Sequence, residues 1–166
     1  MSQYIKNIRL KEHRQLAYTP ESNHDIKIAI YDLIEENYFV LLESKEIIFD
    51  VDFKLEENSL TLDIFSFGKE ISLRSITVNV KKLLKHIREY IILCDSYYSA
   101  IKSAPVSKLE AIDVGRRSLH DLASEELIEK LKNYIDLDIN TARRFVTLIS
   151  VLQRNSAVNY DSFYSD

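Results

Sequence analysis

Between positions 110 and 121 the sequence reads Glu110-Ala111-Ile112-Asp113-Val114-Gly115-Arg116-Arg117-Ser118-Leu119-His120-Asp121, and the groups able to do chemistry recur at steps of three and four. On a helix advancing about 100° per residue, Asp113, Arg116 and His120 border the apolar line of Leu109, Ile112, Leu119 and Ala123. A guanidinium at a cavity edge grips a carboxylate or phosphate through two parallel hydrogen bonds. An imidazole one turn away can give or take a proton near neutral pH, and Asp113 can orient that ring or pair with Arg116. Arg117 points further out, within i,i+4 reach of Asp113 and Asp121, where an ion pair contributes only about 0.2–0.5 kcal/mol. The same atoms have a structural use as a polar edge joining two helices, and no spacing here names a reaction.

The elements that must position these groups follow from the neighbouring pattern. Val80, Leu84, Ile87, Ile91, Cys94, Tyr98 and Ile101 form a heptad stripe that predicts a helix from about residue 79 to 103, either a core helix of a bundle or a short coiled coil. Pro105 stops it, and Ser107-Lys108-Leu109-Glu110 reads as a capping box opening the next helix, so the two arms fold into an antiparallel hairpin. Equal rise on both arms brings together residues whose numbers sum to about 211. That places Asp95 near Arg116 and Tyr98 near Asp113, with a buried Asp95–Arg116 pair fixing the register. Gly115 in mid-helix gives up about 1 kcal/mol relative to alanine, which predicts close approach of the first arm beside Cys94. The second arm runs over about residues 108–122. Ser124-Glu125-Glu126 reads as a new start leading to Tyr134, and Asn140 as the cap of a last, central helix holding Ala142, Phe145, Val146, Ile149 and Leu152.

Upstream, residues 3–11 read as a strand, and Thr19-Pro20-Glu21 is the start signature of a helix reaching about Asn37. Its core stripe is Ile26, Ile30, Leu33 and Ile34. A second stripe of His24, Ile28, Tyr31 and Glu35 lies opposite, so His24, Ile28 and Tyr31 are predicted to face a partner chain or the C-terminal half. From Tyr38 to Arg74 the period falls to two, in Ile47, Phe49, Val51, Phe53 and Leu55 and again in Leu60, Leu62 and Ile64. With turns at residues 56–59 and at Phe67-Gly68-Lys69, this segment predicts an antiparallel β-meander. The fold class is therefore α+β: an N-terminal strand and helix, the meander, and a helical C-terminal half containing the hairpin. Residues 1–154 read as one domain and residues 155–166 as a mobile polar tail.

Composition removes several classes. The chain has 166 residues with a net charge of −4, from 22 Lys and Arg against 26 Asp and Glu, which disfavours binding to a nucleic-acid backbone. Two glycines exclude a Walker loop and a dinucleotide-binding turn, and no cofactor is implied. The four histidines are far apart and Cys94 stands alone, so no metal-ligand set can be written, and a reducing, cytoplasmic setting fits. His24 and Glu35 lie about three turns apart and cannot share an ion without help from other segments. No apolar run approaches the roughly 18 residues of a membrane span, and no targeting segment is read. Two charged features remain. Lys81-Lys82, Lys85 and Arg88 make a basic flank beside His86 and Tyr90 that suits either solvent or an acidic partner. Arg143-Arg144 opens the last helix against the dipole preference, which points to a carboxylate or ligand nearby.

Taken together, Thr19-Pro20, His24, Ile34-Glu35-Glu36-Asn37, the run Ser96-Tyr97-Tyr98-Ser99-Ala100-Ile101-Lys102-Ser103-Ala104, residues 110–117, His120 and Thr141-Ala142-Arg143-Arg144-Phe145 carry a resemblance. The chain resembles the uncharacterised protein family 0262, a group of small alphaproteobacterial proteins, over most of residues 4–154. That resemblance implies a bacterial cytoplasmic setting and no mechanism. The chain departs from it at Asp121-Leu122-Ala123-Ser124, where the family has a polar stretch with glycine, and in its extra tail. The ligand-binding candidates are thus Asp95, Tyr98, Asp113, Arg116 and His120, and the partner-facing ones His24, Ile28 and Tyr31. The reading favoured is a non-enzymatic binding or regulatory module engaging a protein partner, a second copy or a small anionic ligand. The alternative is an enzyme acting on a phosphorylated or carboxylated small molecule at Arg116 and His120.

Overall fold

In the computed structural model, which describes residues 2–11, 20–68 and 71–154, the alternating apolar positions form a sheet with one dry face. Strand β1 (Tyr4–Leu10) is followed by helix α1 (Pro20–Glu35), strands β2 (Phe39–Leu41), β3 (Ile48–Glu56), β4 (Ser59–Ser66) and β5 (Ser72–Asn79), helices α2 (Lys81–Ala100) and α3 (Val106–Leu131), strand β6 (Ile135–Leu137) and helix α4 (Ile139–Arg154). The larger sheet has the order β1-β3-β4-β5. Its meander β3-β4-β5 is antiparallel as expected, with Glu56 opposite Ser59 across a tight turn in which Glu57 has φ 53°. Gly68 turns the next corner at φ 74°, a conformation that glycine adopts without steric penalty.

Two pairings extend beyond the expected meander. Strand β1 lies parallel to β3, which requires the crossover that α1 provides. Strand β2 leaves the meander and pairs antiparallel with β6, through Phe39–Leu137 and Leu41–Ile135. Asn37 closes α1 and ties it to the sheet: its amide accepts from Ile5 N–H at 2.7 Å and donates to the carbonyls of Ile5 and Leu33.

Phe49, Val51, Phe53, Leu60, Leu62 and Ile64 point inward from the sheet and meet Ile26, Ala29 and Leu33 of α1, Leu84, Ile87 and Ile91 of α2, and the length of α4 in one core cluster. Phe145 of α4 stacks on Phe53 at 6.2 Å, so α4 is central as its apolar circumference predicted. The caps differ from the expected ones. Asp138 accepts from Thr141 N–H and so caps α4 two residues before Asn140. Ser107 sits inside α3, whose first turn closes on the Pro105 carbonyl, and the expected capping box is not used. The break expected at Leu122–Ser124 is also absent. α3 runs unbroken for 26 residues, with Ser124 Oγ donating to the His120 carbonyl within the helix. Thr19 and the tail over 155–166 lie outside the described residues.

Candidate functional site

Pro105 turns α2 back as α3, and the buried positions of both arms occupy the ends nearer the sheet: Leu83, Leu84, Ile87 and Ile91 on α2, Ala123, Ser124, Leu127 and Leu131 on α3. The distal half of the hairpin leaves the core, and its Tyr98, Ile101, Val106 and Val114 are exposed. A Cβ added to Gly115 would meet Leu93 Cδ1 at 3.2 Å, so the close approach that this glycine predicted occurs one residue from Cys94.

The register arithmetic holds there, but the expected Asp95–Arg116 pair does not form. Arg116 Nε donates to Asp113 Oδ1 at 2.8 Å on its own helix, and its guanidinium lies 4.1 Å from the Tyr97 ring centroid. Asp113 also holds Arg117 at 3.0 Å. Burial opposes the charge on Arg116, yet the hydrogen bond and charge of Asp113, with help from Cys94, hold its pKa above the ordinary value. Asp95 faces the other way, toward α4, where it meets Arg154 at 2.8 Å. Tyr98 does not reach Asp113. It is 70% exposed and packs edge-on against Tyr97.

His120 lies between arms. Its Nε2 is 3.1 Å from Thr147 Oγ1 on α4, and its ring stands edge-on to Tyr90 at 5.2 Å. Because the Thr147 hydroxyl donates to the Arg143 carbonyl, it accepts from His120, which assigns the ring proton to Nε2. Burial lowers the His120 pKa, the Arg143 charge adds to that, and Asp121 opposes it, so the ring is neutral at pH 7. Burial and the neighbouring Cys94 push the Tyr90 hydroxyl well above its ordinary range, keeping it protonated.

The carboxylates that Arg143-Arg144 foretold are present: Arg143 grips Asp121 at 2.8 Å and Arg144 lies 3.6 Å from Glu36. Sequence reasoning missed the contact of His86 Nδ1 with Glu126 Oε1, 2.7 Å apart between α2 and α3, with both side chains only 17% exposed. It joins the arms near the core, though without hydrogen-bond alignment. On α1, His24, Ile28 and Tyr31 are exposed, the last two at 46% and 64%, so no described part of the C-terminal half covers that stripe.

Among the described residues, two hollows open on the hairpin. One, of about 690 Å³, lies toward its tip between Leu93, Ser96, Ala100, Pro105, Lys108 and Ile112. The other, of about 370 Å³, lies at the start of α2 and the end of α3 and is lined by Asn79, Lys81, Lys82, Lys85, Arg88 and Lys130. Neither is lined by Arg116 or His120. Among the described residues no three His, Cys, Asp or Glu side chains converge as a metal site, and no helix is long and apolar enough to cross a membrane.

The fold and this geometry define an α+β protein in which a helical hairpin projects from a four-stranded sheet, its arms joined to α4 by arginine–carboxylate pairs. No solved structure matches the chain. The chain belongs to the uncharacterised protein family UPF0262, whose model matches residues 2–155. It is 38% identical over 148 residues to a UPF0262 protein of Caulobacter vibrioides, covering 89% of this chain and 91% of the relative. A UPF0262 protein of Paramagnetospirillum magneticum is 39% identical over 150 residues, covering 90% and 95%. One from Brucella canis is 41% identical over 137 residues, covering 81% and 84%.

Proposed function

We propose that this protein is a small bacterial, cytoplasmic, non-enzymatic binding or regulatory module, built as one domain and working through the outer surface of its α2–α3 hairpin. The observation that carries the reading is the engagement of Arg116. Its Nε is held by Asp113 and its face by Tyr97, so the group best suited to grip an anion is used to shape the hairpin. His120 is used in the same way against Thr147. The single cysteine fits a reducing compartment.

A second reading has one observation in its favour. His120 is neutral with its proton on Nε2, which leaves the Nδ1 lone pair as a proton acceptor, the state a general base needs. NMR titration with inorganic phosphate and acetate separates the two, following the amides of residues 112–121 and the His120 ring. The binding-module reading expects no saturable shift there. Saturable shifts abolished by Arg116→Lys, together with turnover of a phosphorylated or carboxylated compound, would replace it with an enzyme acting at Arg116 and His120.

A further inference from the structure

Lys81, Lys82, Lys85 and Arg88 occupy an arc of about 120° on α2, given 100° per residue. Across the hairpin Lys130 completes the wall of the 370 Å³ hollow, which five cationic residues and Asn79 line chiefly through their aliphatic stems, with the charged ends at its rim and no carboxylate in the wall. None of the five forms an ion pair among the described residues. The acids closest along α3 are engaged elsewhere, Glu126 against His86 and Glu129 against Lys132 at 2.6 Å, and Glu89 is not among the lining residues. This concentration occurs in a chain whose net charge is −4.

The cluster also goes against two local preferences. Lys81 and Lys82 stand in the first turn of α2, which carries no acid, although the helix dipole favours negative groups there. Lys85 repeats the charge four residues from Lys81 and three from both Lys82 and Arg88, a spacing at which like charges repel. Glu89, four residues from Lys85 and within the same arc, offsets part of this repulsion, though it forms no ion pair with the cluster among the described residues; local conflict of this kind is expected at functional positions. The hollow is of the size that holds a small ligand.

We propose that this hollow binds a small ligand bearing a cluster of two or more phosphate charges, whose oxygens take the lysine ammonium donors and the Arg88 fork. The assignment rests on the binding-module reading and gives that module its ligand class. Lysine offers three donors around a point charge and suits phosphate oxygens arriving from several directions, while Arg88 adds one planar, bidentate contact.

The test is an NMR titration of the full chain with inorganic pyrophosphate at fixed ionic strength, with phosphate, citrate and a short polyglutamate peptide as parallel arms. The expected result is saturable shifts in the amides of residues 79–88 and 130, with pyrophosphate at least tenfold tighter than phosphate. The Lys82→Ala/Lys85→Ala double variant should weaken that affinity by tenfold or more while its unfolding midpoint holds or rises, because charge repulsion is relieved. Absence of saturable shifts, unchanged affinity in the double variant, or a fallen midpoint would overturn the proposal. Citrate or the peptide binding more tightly than pyrophosphate would overturn the phosphate assignment. Release of phosphate from pyrophosphate would overturn the non-enzymatic reading and leave the hollow as the site. Failure to bind would remove the hollow and leave the module reading to the separate test at residues 112–121.

Discussion

Replacing Arg116 by alanine tests whether this residue serves the hairpin or a ligand. Its side chain is 22% exposed and that of Asp113 23%, which puts the pair between two regimes. A fully exposed pair contributes at most about 1 kcal/mol, whereas breaking a buried one removes about 3–5 kcal/mol because the remaining charge is stranded. Asp113 is not stranded by the change, since Arg117 stays 3.0 Å away, so the loss falls well below the buried figure. The contact with Tyr97 adds about 0.5–2 kcal/mol, toward the upper part of that range where water is excluded. Arg116→Ala should therefore lose about 1.5–2.5 kcal/mol in urea unfolding followed by circular dichroism, with an unchanged slope against denaturant. A double-mutant cycle with Tyr97→Leu should return a coupling of about 0.5–1.5 kcal/mol. Arg116→Lys keeps the charge but not the planar face, and should fall between the parent and the alanine variant. A loss under about 0.5 kcal/mol, or a gain, would refute this account. That is how a residue held in place for function behaves when it is removed.

Two other perturbations follow. Because burial holds the His120 pKa below the ordinary 6.5, the unfolded chain takes up that proton first as pH falls. The stability this group contributes is complete above about pH 6.5 and is lost as pH drops toward the folded-state pKa, so His120→Gln should flatten the pH dependence of unfolding between pH 7.5 and 5; an unchanged slope would refute the burial of the ring. Asp138→Ala should remove the α4 cap and lose about 1 kcal/mol, while Asn140→Ala should stay within about 0.5 kcal/mol, and equal losses in thermal unfolding would refute the observed cap.

What the sequence made legible was whatever rests on a repeating period or on a single stiff residue. The alternation through Phe49, Val51 and Phe53 and through Leu60, Leu62 and Ile64 gave the meander, and Pro105 with Gly115 gave the hairpin and its closest approach. The three-residue strands Phe39–Leu41 and Ile135–Leu137 are too short to show a period, so their pairing could not be foreseen. The Asp95–Arg116 expectation failed for another reason. Register fixes which residues stand at the same height, and the direction around the helix decides which of them meet. Asp95 lies one turn beyond Ile91, on the side where Arg154 bonds the Ile91 carbonyl, whereas Leu93 is the residue turned toward Gly115. Ser124 misled through chemistry shared by two structures. A serine that caps a new helix and one that bonds back to the carbonyl four residues earlier read alike in sequence, and here it is the second.

The charged residues divide by type in a way that bears on where a ligand would be met. Arg9 with Asp52, Arg116 and Arg117 with Asp113, Arg143 with Asp121, Arg144 with Glu36 and Arg154 with Asp95 each face a carboxylate, and Arg74 lies over the Tyr134 ring. These are the planar, directional contacts for which arginine is suited. They join strand to strand, helix turn to helix turn, and α4 to α2, to α3 and to the residue that follows α1. The lysines of α2 are used differently, because Lys81, Lys82 and Lys85 make no such contact and converge with Arg88 and Lys130 on one hollow. Recognition reasoned from side-chain type alone leads to Arg116, which offers the better anion fork. Recognition reasoned from what each charge already touches leads instead to the start of α2, where positive charge is gathered and not yet neutralised by the protein itself.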